Sequence, residues 1–291
     1  MRAPAKINLT LEVLALRSDG YHGVRSVMVP LELADELTIE PSTGFSFECD
    51  RSGLAKEHSE LAGEQNLAVA ALRALDDELP AVRMLLLKNI PVQAGLGGGS
   101  SDAAAVLRAA MAGAFGPVPR CDWMQIARSL GSDVPFFLAE TAALVEGTGE
   151  RVTPAGAIAA WHLLIVKPPV EVSTAQAYRG IDALQRPQRP RSGCVSIAML
   201  EALQRADFAR VQALLQNDFN DVIAARTHEV AYALSALRAA GAGNALLCGS
   251  GSCVFTLAPE RSTIEAVNAR LSLSSRYERF VTRFATTPEW K

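Results

Sequence analysis

The sequence predicts an α+β fold divided into two domains, and three observations carry that expectation. Runs of strand character occur in both halves, at 6–16, 24–40, 82–90 and 141–146 in the first and at 161–166 and around 245–257 in the second. Helical patterns interleave with them at 66–79, 101–112, 122–130, 196–205, 207–216, 227–240 and 260–271. The 291 residues also exceed the roughly 100–200 of a single domain. The chain loosens at Gly147-Thr148-Gly149 and again at Thr153 to Gly156, which places the expected division between residues 1–155 and 156–291.

Each element has its own local reason. Residues 6–16 alternate loosely, and Ser18 to Gly23 has the composition of a turn. Residues 24–40 resume strand character, with Val27, Val29, Leu31 and Leu33 on one face. Asn66 is placed to cap the helix that follows it. Val82 to Ile90 reads as a strand that ends at Pro91, and a glycine-rich loop leads into the helix closed by Gly113. Gly131 ends the helix at 122–130. The apolar run Trp161 to Val166 reads as a buried strand opening the second half, and 183–193 as a polar loop punctuated by proline.

Composition narrows the function classes. Apolar residues make up 49% and charged residues 20% of the chain, as in an ordinary globular protein, and the net charge is only −3. No basic excess marks a nucleic-acid surface, and no Lys/Arg run marks a membrane patch. The uncharged run from Ala239 to Pro259 is long enough to cross a bilayer, but its glycines, serines and Asn244 are loop chemistry between short apolar pieces. The five cysteines have no paired spacing, which argues against a disulfide framework or a zinc site and fits a reducing cytoplasm; the segment Met1 to Asn8 lacks the apolar stretch of a signal peptide. Only five lysines occur among 28 cationic residues: Lys6, Lys56, Lys88, Lys167 and Lys291. Most of these are expected to be solvated surface side chains.

Three segments carry candidate chemistry. The first is Pro91-Val92-Gln93-Ala94-Gly95-Leu96-Gly97-Gly98-Gly99-Ser100-Ser101, followed by Asp102 and an alanine-rich helix. Its glycines allow close backbone approach and positive φ, and the unpaired N–H groups and dipole of the helix start favour an anion. A strand, a glycine loop and a helix N-terminus make a phosphate cradle; the alternative is a flexible turn with Ser100 or Ser101 as an ordinary cap. No lysine follows the glycines as a Walker A loop requires, and Ser100 breaks the spacing of a dinucleotide fingerprint. The second segment, Gly249-Ser250-Gly251-Ser252, lies between two apolar runs and is either a hairpin turn or a backbone that closes over the first loop. The third sets Asp133 before Val134-Pro135-Phe136-Phe137, either as a helix cap or as a base in an apolar pocket.

These segments, in this order, resemble the superfamily of galactokinase, homoserine kinase, mevalonate kinase and phosphomevalonate kinase. Pro4-Ala5-Lys6-Ile7-Asn8-Leu9 and Asp19-Gly20-Tyr21-His22 strengthen the likeness, which extends from Pro4 to Phe255. The resemblance implies an N-terminal domain like that of ribosomal protein S5 and a ferredoxin-like C-terminal domain. It also implies a kinase in which ATP, accompanied by Mg²⁺, phosphorylates an alcohol. The narrower likeness points to the 2-hydroxyl of a cytidine-diphosphate-linked methylerythritol, in the methylerythritol phosphate route to isoprenoid precursors. Carried onto this chain, it makes Asp133 the catalytic base with Lys6 beside it and Pro91 to Ser101 the ATP loop. It puts Asn8, Tyr21, His22 and Tyr178 on the substrate side, with His22 bonding the cytosine edge and Tyr21 and Tyr178 as aromatics around the base. Gly249 to Ser252 become the third loop. Ser132 stands where many relatives have alanine, a departure that leaves Asp133 in place. No protein ligand for a metal is assigned. The expected partner is the small-molecule substrate, with no nucleic acid and no membrane, for a monomer or weak homodimer in the cytoplasm. The alternatives are another kinase of the superfamily, acting on homoserine, mevalonate or a sugar, and a non-catalytic nucleotide-binding protein of the same fold.

Overall fold

The computed structural model describes residues 1–50, 63–75, 80–184 and 194–286. Lys56 and Lys291, the end of the expected helix at 66–79 and most of the loop at 183–193 lie outside the described residues. Among the described residues no helix is long and apolar enough to cross a membrane.

Two long strands build the first sheet: β1 (Arg2–Leu16) and β2 (His22–Pro41), paired antiparallel. Along β1 the side chains alternate in period two. Ala5, Ile7 and Leu9 enter a core cluster, while Lys6, Asn8 and Thr10 are buried on the other face. Beside this pair lie β3 (Ser46–Asp50) and β4 (Val82–Leu87), with β5 (Ala143–Gly147) and β6 (Arg151–Pro154) along the other stretch of β2. Four helices cover this part: α1 (Leu67–Arg73), α2 (Gly98–Met111), α3 (Trp123–Leu130) and α4 (Val134–Leu138). Asn66 caps α1 as expected, accepting from the Ala68 amide at 2.9 Å.

The second sheet is antiparallel throughout. Its order is β11 (Glu278–Arg283), β7 (His162–Lys167), β10 (Val254–Ala258), β9 (Leu246–Leu247). Strand β7 is buried on both faces: Leu163 and Ile165 join the core shared with β1 and β2, while Leu164 and Val166 join a core made with helices. Those helices are α5 (Thr174–Asp182), α8 (Asn220–Ala224), α9 (His228–Ala239) and α10 (Arg261–Arg270); α6 (Val195–Gln204) and α7 (Phe208–Leu214) pack instead on the shared core. A two-residue strand, β8 (Gln216–Asn217), leaves the second half of the chain and pairs parallel with β1 at Thr10 and Leu11.

The sequence reading differs from this arrangement in identifiable places. It contains no β3, β6, β11, α5 or α8. The strands among these are half exposed along their length, and α8 spans only five residues. Helix α2 begins at Gly98 rather than Ser101, so Gly98 and Gly99 are helical and Gly97, at φ 73°, is the N-cap. Ser100 and Ser101 therefore lie in the first turn and do not cap it.

Candidate active site

Lys6 and Asn8 stand two residues apart on β1 and so share a face. Lys6 Nζ donates to Asn8 Oδ1 at 2.9 Å, Asn8 Nδ2 donates to Ser26 Oγ at 2.7 Å, and Ser26 Oγ donates to the Thr10 carbonyl at 2.6 Å. This chain of bonds fixes the buried ammonium and satisfies each polar group it passes. The Lys6 backbone N–H also donates to the Leu96 carbonyl at 2.9 Å, tying the strand to the glycine loop.

Asp133 occupies the N-cap position of α4, yet its side chain makes no capping bond. Its carboxylate points to Lys6 instead, with Oδ2 3.4 Å from Nζ. The two groups, 127 positions apart in sequence, thus meet at the floor of one cleft. The Asp133 carboxylate stays 26% exposed to that cleft while the Lys6 side chain is only 5% exposed, which suits an acceptor that a ligand hydroxyl can reach. Below them Phe136 and Phe137 pack edge to face, with centroids 5.1 Å apart.

The glycine loop approaches this pair closely. A Cβ at Gly97 would stand 3.0 Å from the Phe137 ring and 3.1 Å from Lys6 Cγ. Gly95 and Gly97 line the cleft, whereas the side chains of Ala94 and Leu96 are buried in the shared core. The amides of Gly98, Gly99 and Ser100 open α2 and have no partner within the helix. Under this first turn lies a buried triad. Lys88 Nζ bonds to Asp102 Oδ2 at 2.6 Å and closely to Asp35, whose other oxygen accepts from the Ile90 amide at 2.8 Å. Burial works against the Lys88 charge, but Asp102 and Asp35 outweigh it and hold its pKa above the ordinary value. Burial pushes the Asp102 carboxyl up to about 8, against the pull of Lys88 and with the help of Asp35. Lys6, Lys88 and Lys167, the three lysines among the described residues, are all buried, which overturns the expectation that most lysines are solvated.

The second glycine/serine segment is both of the things its sequence allowed. It turns the chain between β9 and β10 as a hairpin, and it also packs on the first loop. The Cys253 amide donates to the Ala94 carbonyl at 3.2 Å, and a Cβ at Gly95 would collide with the Cys248 carbonyl. Gly249, Ser250 and Gly251 line the cleft. Ser252 turns inward instead: its hydroxyl donates to the Val170 carbonyl at 2.7 Å and accepts from Lys167 Nζ at 2.9 Å, which anchors the loop.

At the other end of the cleft an aromatic wall forms. The His22 and Tyr178 rings are stacked at 5.5 Å and 14°, and Phe219 meets Tyr178 edge-on at 5.0 Å. Burial, followed by the charge of Asp133, pushes the Tyr178 hydroxyl up to about 12. His22 Nδ1 donates to the Leu14 carbonyl at 2.9 Å, and Nε2 lies 2.9 Å from Asp182 Oδ1. Tyr21 stands 68% exposed at the rim. The sequence reading missed Ser26, Phe219, Asp182 and Asn217. They are single polar or aromatic residues without motif spacing, brought in by strand pairing and by α5 and β8.

The cleft holds about 1370 Å³. A pocket for one small ligand holds roughly 300–1,000 Å³, so this one has room for two substrates side by side. Among the described residues no group of three or more His, Cys, Asp or Glu side chains could hold a metal ion.

A glycine loop at a helix start, set over a paired lysine and aspartate in a cleft lined by both halves of the chain, defines a kinase of the GHMP class. Residues 66–141 match the model for the GHMP kinases N terminal domain, and residues 199–275 match that for GHMP kinases C terminal. A Symbiobacterium thermophilum protein named 4-diphosphocytidyl-2-C-methyl-D-erythritol kinase is 41% identical over 88% of this chain and 89% of its own length. A Deinococcus radiodurans protein of the same name is 38% identical over 93% of this chain and 87% of its own. The crystal structure of a 4-(cytidine 5'-diphospho)-2C-methyl-D-erythritol kinase superposes with a TM-score of 0.75 at 33% identity, covering 98% of each chain. L. major mevalonate kinase, solved with R-mevalonate, shares the fold at a TM-score of 0.67 and 15% identity. This chain belongs to the 4-diphosphocytidyl-2-C-methyl-D-erythritol kinase family.

Proposed function

We propose that this chain transfers the γ-phosphoryl group of ATP to the 2-hydroxyl of 4-diphosphocytidyl-2-C-methyl-D-erythritol, as a cytoplasmic step of the methylerythritol phosphate route. The observation that carries this reading is the Lys6–Asp133 pair, 3.4 Å apart, on the floor of a cleft with a glycine loop at one end and an aromatic wall at the other. Phosphoryl transfer asks mainly for positioning and charge stabilisation. Asp133 accepts the hydroxyl proton as that oxygen bonds to the γ-phosphorus. The bond from the γ-phosphorus to the bridging oxygen breaks, ADP leaves with that electron pair, and the proton passes from Asp133 to solvent. Lys6, held by Asn8, steadies the charge that spreads over the transferred group. Backbone amides between Gly95 and Ser101 hold the donor phosphates, and Mg²⁺ enters with ATP as part of that substrate.

His22, Tyr178 and Tyr21 are assigned to the cytidine end. The nearest competitor for the cytosine edge is Asp182, which must yield His22 Nε2 when the base arrives. The same reading keeps the division of the chain at 155/156, with Lys6, Asp133 and the ATP loop in the first part and Tyr178 and the third loop in the second.

The test is ADP release coupled to a panel of alcohols: the cytidine compound, mevalonate, homoserine and galactose. Turnover with the cytidine compound alone is expected, and turnover only with another alcohol would overturn the substrate assignment. Asp133→Asn is expected to lower kcat by about 10²- to 10⁴-fold while ATP still binds. Near-normal kcat in that variant would remove Asp133 from the role of base.

A further inference from the structure

We infer that Asn217 is a positioning residue that sets both ends of the cleft at once. It is buried, and both polar atoms of its side chain are bonded. Its amide nitrogen donates to the Leu247 carbonyl at 2.8 Å and to the Gly249 carbonyl at 2.7 Å. Its amide oxygen accepts from the Phe219 backbone N–H at 2.9 Å. The residue is itself anchored to the strand that carries Lys6 and Asn8. Asn217 pairs with Leu11 across β8 and β1, the Asp218 amide donates to the Leu11 carbonyl at 2.9 Å, and Asp218 Oδ2 accepts from the Val13 amide at 2.9 Å.

The consequence at the phosphate end is direct. A Cβ at Gly249 would stand 3.3 Å from Lys6 Nζ, so the backbone that Asn217 holds forms one wall of the ammonium's pocket. At the other end, Asn217 fixes the turn that presents Phe219, whose ring braces Tyr178 edge-on at 5.0 Å. One primary amide therefore ties the Lys6 strand, the Gly249 loop and the aromatic wall into a single frame. Only a side chain with two donors on one atom and an acceptor on the next can satisfy these three backbone groups. A shift of about 1 Å at a reacting centre can cost on the order of a hundredfold in rate, which makes such a frame a kinetic feature as well as a structural one.

The inference rests on the proposed kinase reading, and the experiment separates the two. Asn217→Asp keeps the acceptor for the Phe219 amide but turns a carboxylate on two carbonyls. Asn217→Ser serves the same purpose if the aspartate variant does not fold, because its hydroxyl reaches the Phe219 amide but not both carbonyls. The control is Asn244→Ala. It loses two bonds to Leu257, of 3.3 and 3.1 Å, and one from the Thr256 hydroxyl at 3.4 Å, at a place that does not line the cleft.

With the full chain, ATP and the cytidine compound, Asn217→Asp is expected to lose about a hundredfold in kcat and to keep a near-normal KM for the cytidine compound. Hydrogen exchange at 248–253 should quicken in the same variant. Asn244→Ala should lower the melting temperature and leave kcat alone. The inference is overturned if Asn217→Asp keeps wild-type kcat, if it loses no more than Asn244→Ala, or if exchange at 248–253 is unchanged. A wild-type chain inactive on the cytidine compound would sink the substrate assignment, while the exchange measurement would still decide whether Asn217 holds the loop.

Discussion

At the scale of single residues, the site is made by side chains whose surroundings reverse their usual habits. A lysine normally keeps its ammonium in water, yet Lys6, Lys88 and Lys167 are buried on three different sets of partners. Lys6 meets Asp133, Lys88 meets a pair of carboxylates, and Lys167 meets the carbonyls of Pro168 and Val170 and the Ser252 hydroxyl. The charged partners of Lys6 and Lys88 come from other elements and leave no local signature, and Lys167, though it bonds the nearby Pro168 and Val170 carbonyls, reaches across to Ser252 as well. Lys6 was legible only through its likeness to a motif, and Lys88 and Lys167 were not legible at all. His22 gives the prediction at this scale. His22→Ala removes the ring stacked on Tyr178 and, on the proposed reading, the group that meets the base edge. The expected result is a KM for the cytidine compound raised about tenfold or more, the loss of a stacking contact and a hydrogen bond together, with the KM for ATP near wild type. Equal increases for both substrates would place His22 in general support of the fold rather than in base recognition.

At the scale of elements, two loops and one helix start form the end of the cleft proposed for the donor phosphates. The glycine pattern was readable in the sequence, but its division between loop and helix was not. Gly98 and Gly99 are poor helix formers by propensity, and the tertiary setting of α2 overrides it: a Cβ at Gly98 would crowd Ile90 at 3.2 Å. Gly95 is the sharper case. It holds φ at 76° and faces the Cys248 carbonyl, so Gly95→Ala adds both backbone strain and a collision between the two loops. This variant is expected to weaken ATP binding by calorimetry while melting within a few degrees of wild type; unchanged ATP affinity would separate the loop contact from nucleotide binding.

The triad under α2 gives a pH dependence at the same scale. In the folded chain the Asp102 carboxyl holds its proton up to about 8, against an ordinary 3.8. Over that window the folded state binds a proton that the unfolded state releases. Its contribution to stability is full below about pH 3.8 and is lost as pH rises through about 8. Lys88 is shifted upward too, so its own loss falls at pH values above 10.5, outside this window. Asp102→Asn cannot ionise and should flatten the decline in melting temperature between about pH 5 and about pH 8; an identical slope in both proteins would show that Asp102 does not hold the proton.

At the scale of the whole molecule, the two sheets are bound by one core. Ile7, Leu9, Val29 and Leu31 of the first sheet are fully buried against a cluster that includes Leu163, Ile165, Phe255 and Phe284 of the second half. The Ala285 amide donates to the Pro30 carbonyl at 2.9 Å, and β8 crosses from the second half to extend the first sheet. The sequence made the two-domain composition visible, since each half has its own strands and helices. It did not reveal this sharing, because alternation in β1 marks a buried face without saying what buries it. The sharing has a thermodynamic consequence. Uncovering a large aliphatic side chain costs about 1.5–3 kcal/mol, so exposing those four costs on the order of 6–12 kcal/mol. That is comparable to the roughly 5–15 kcal/mol by which a whole domain is stable. Residues 1–155 expressed alone are therefore expected to lack a cooperative melt, and the full chain to unfold in one transition that coincides by near- and far-ultraviolet circular dichroism. A soluble 1–155 fragment with a sharp melt of its own would show that the first sheet does not depend on the second for its core, and that the cleft lies between two parts that fold separately.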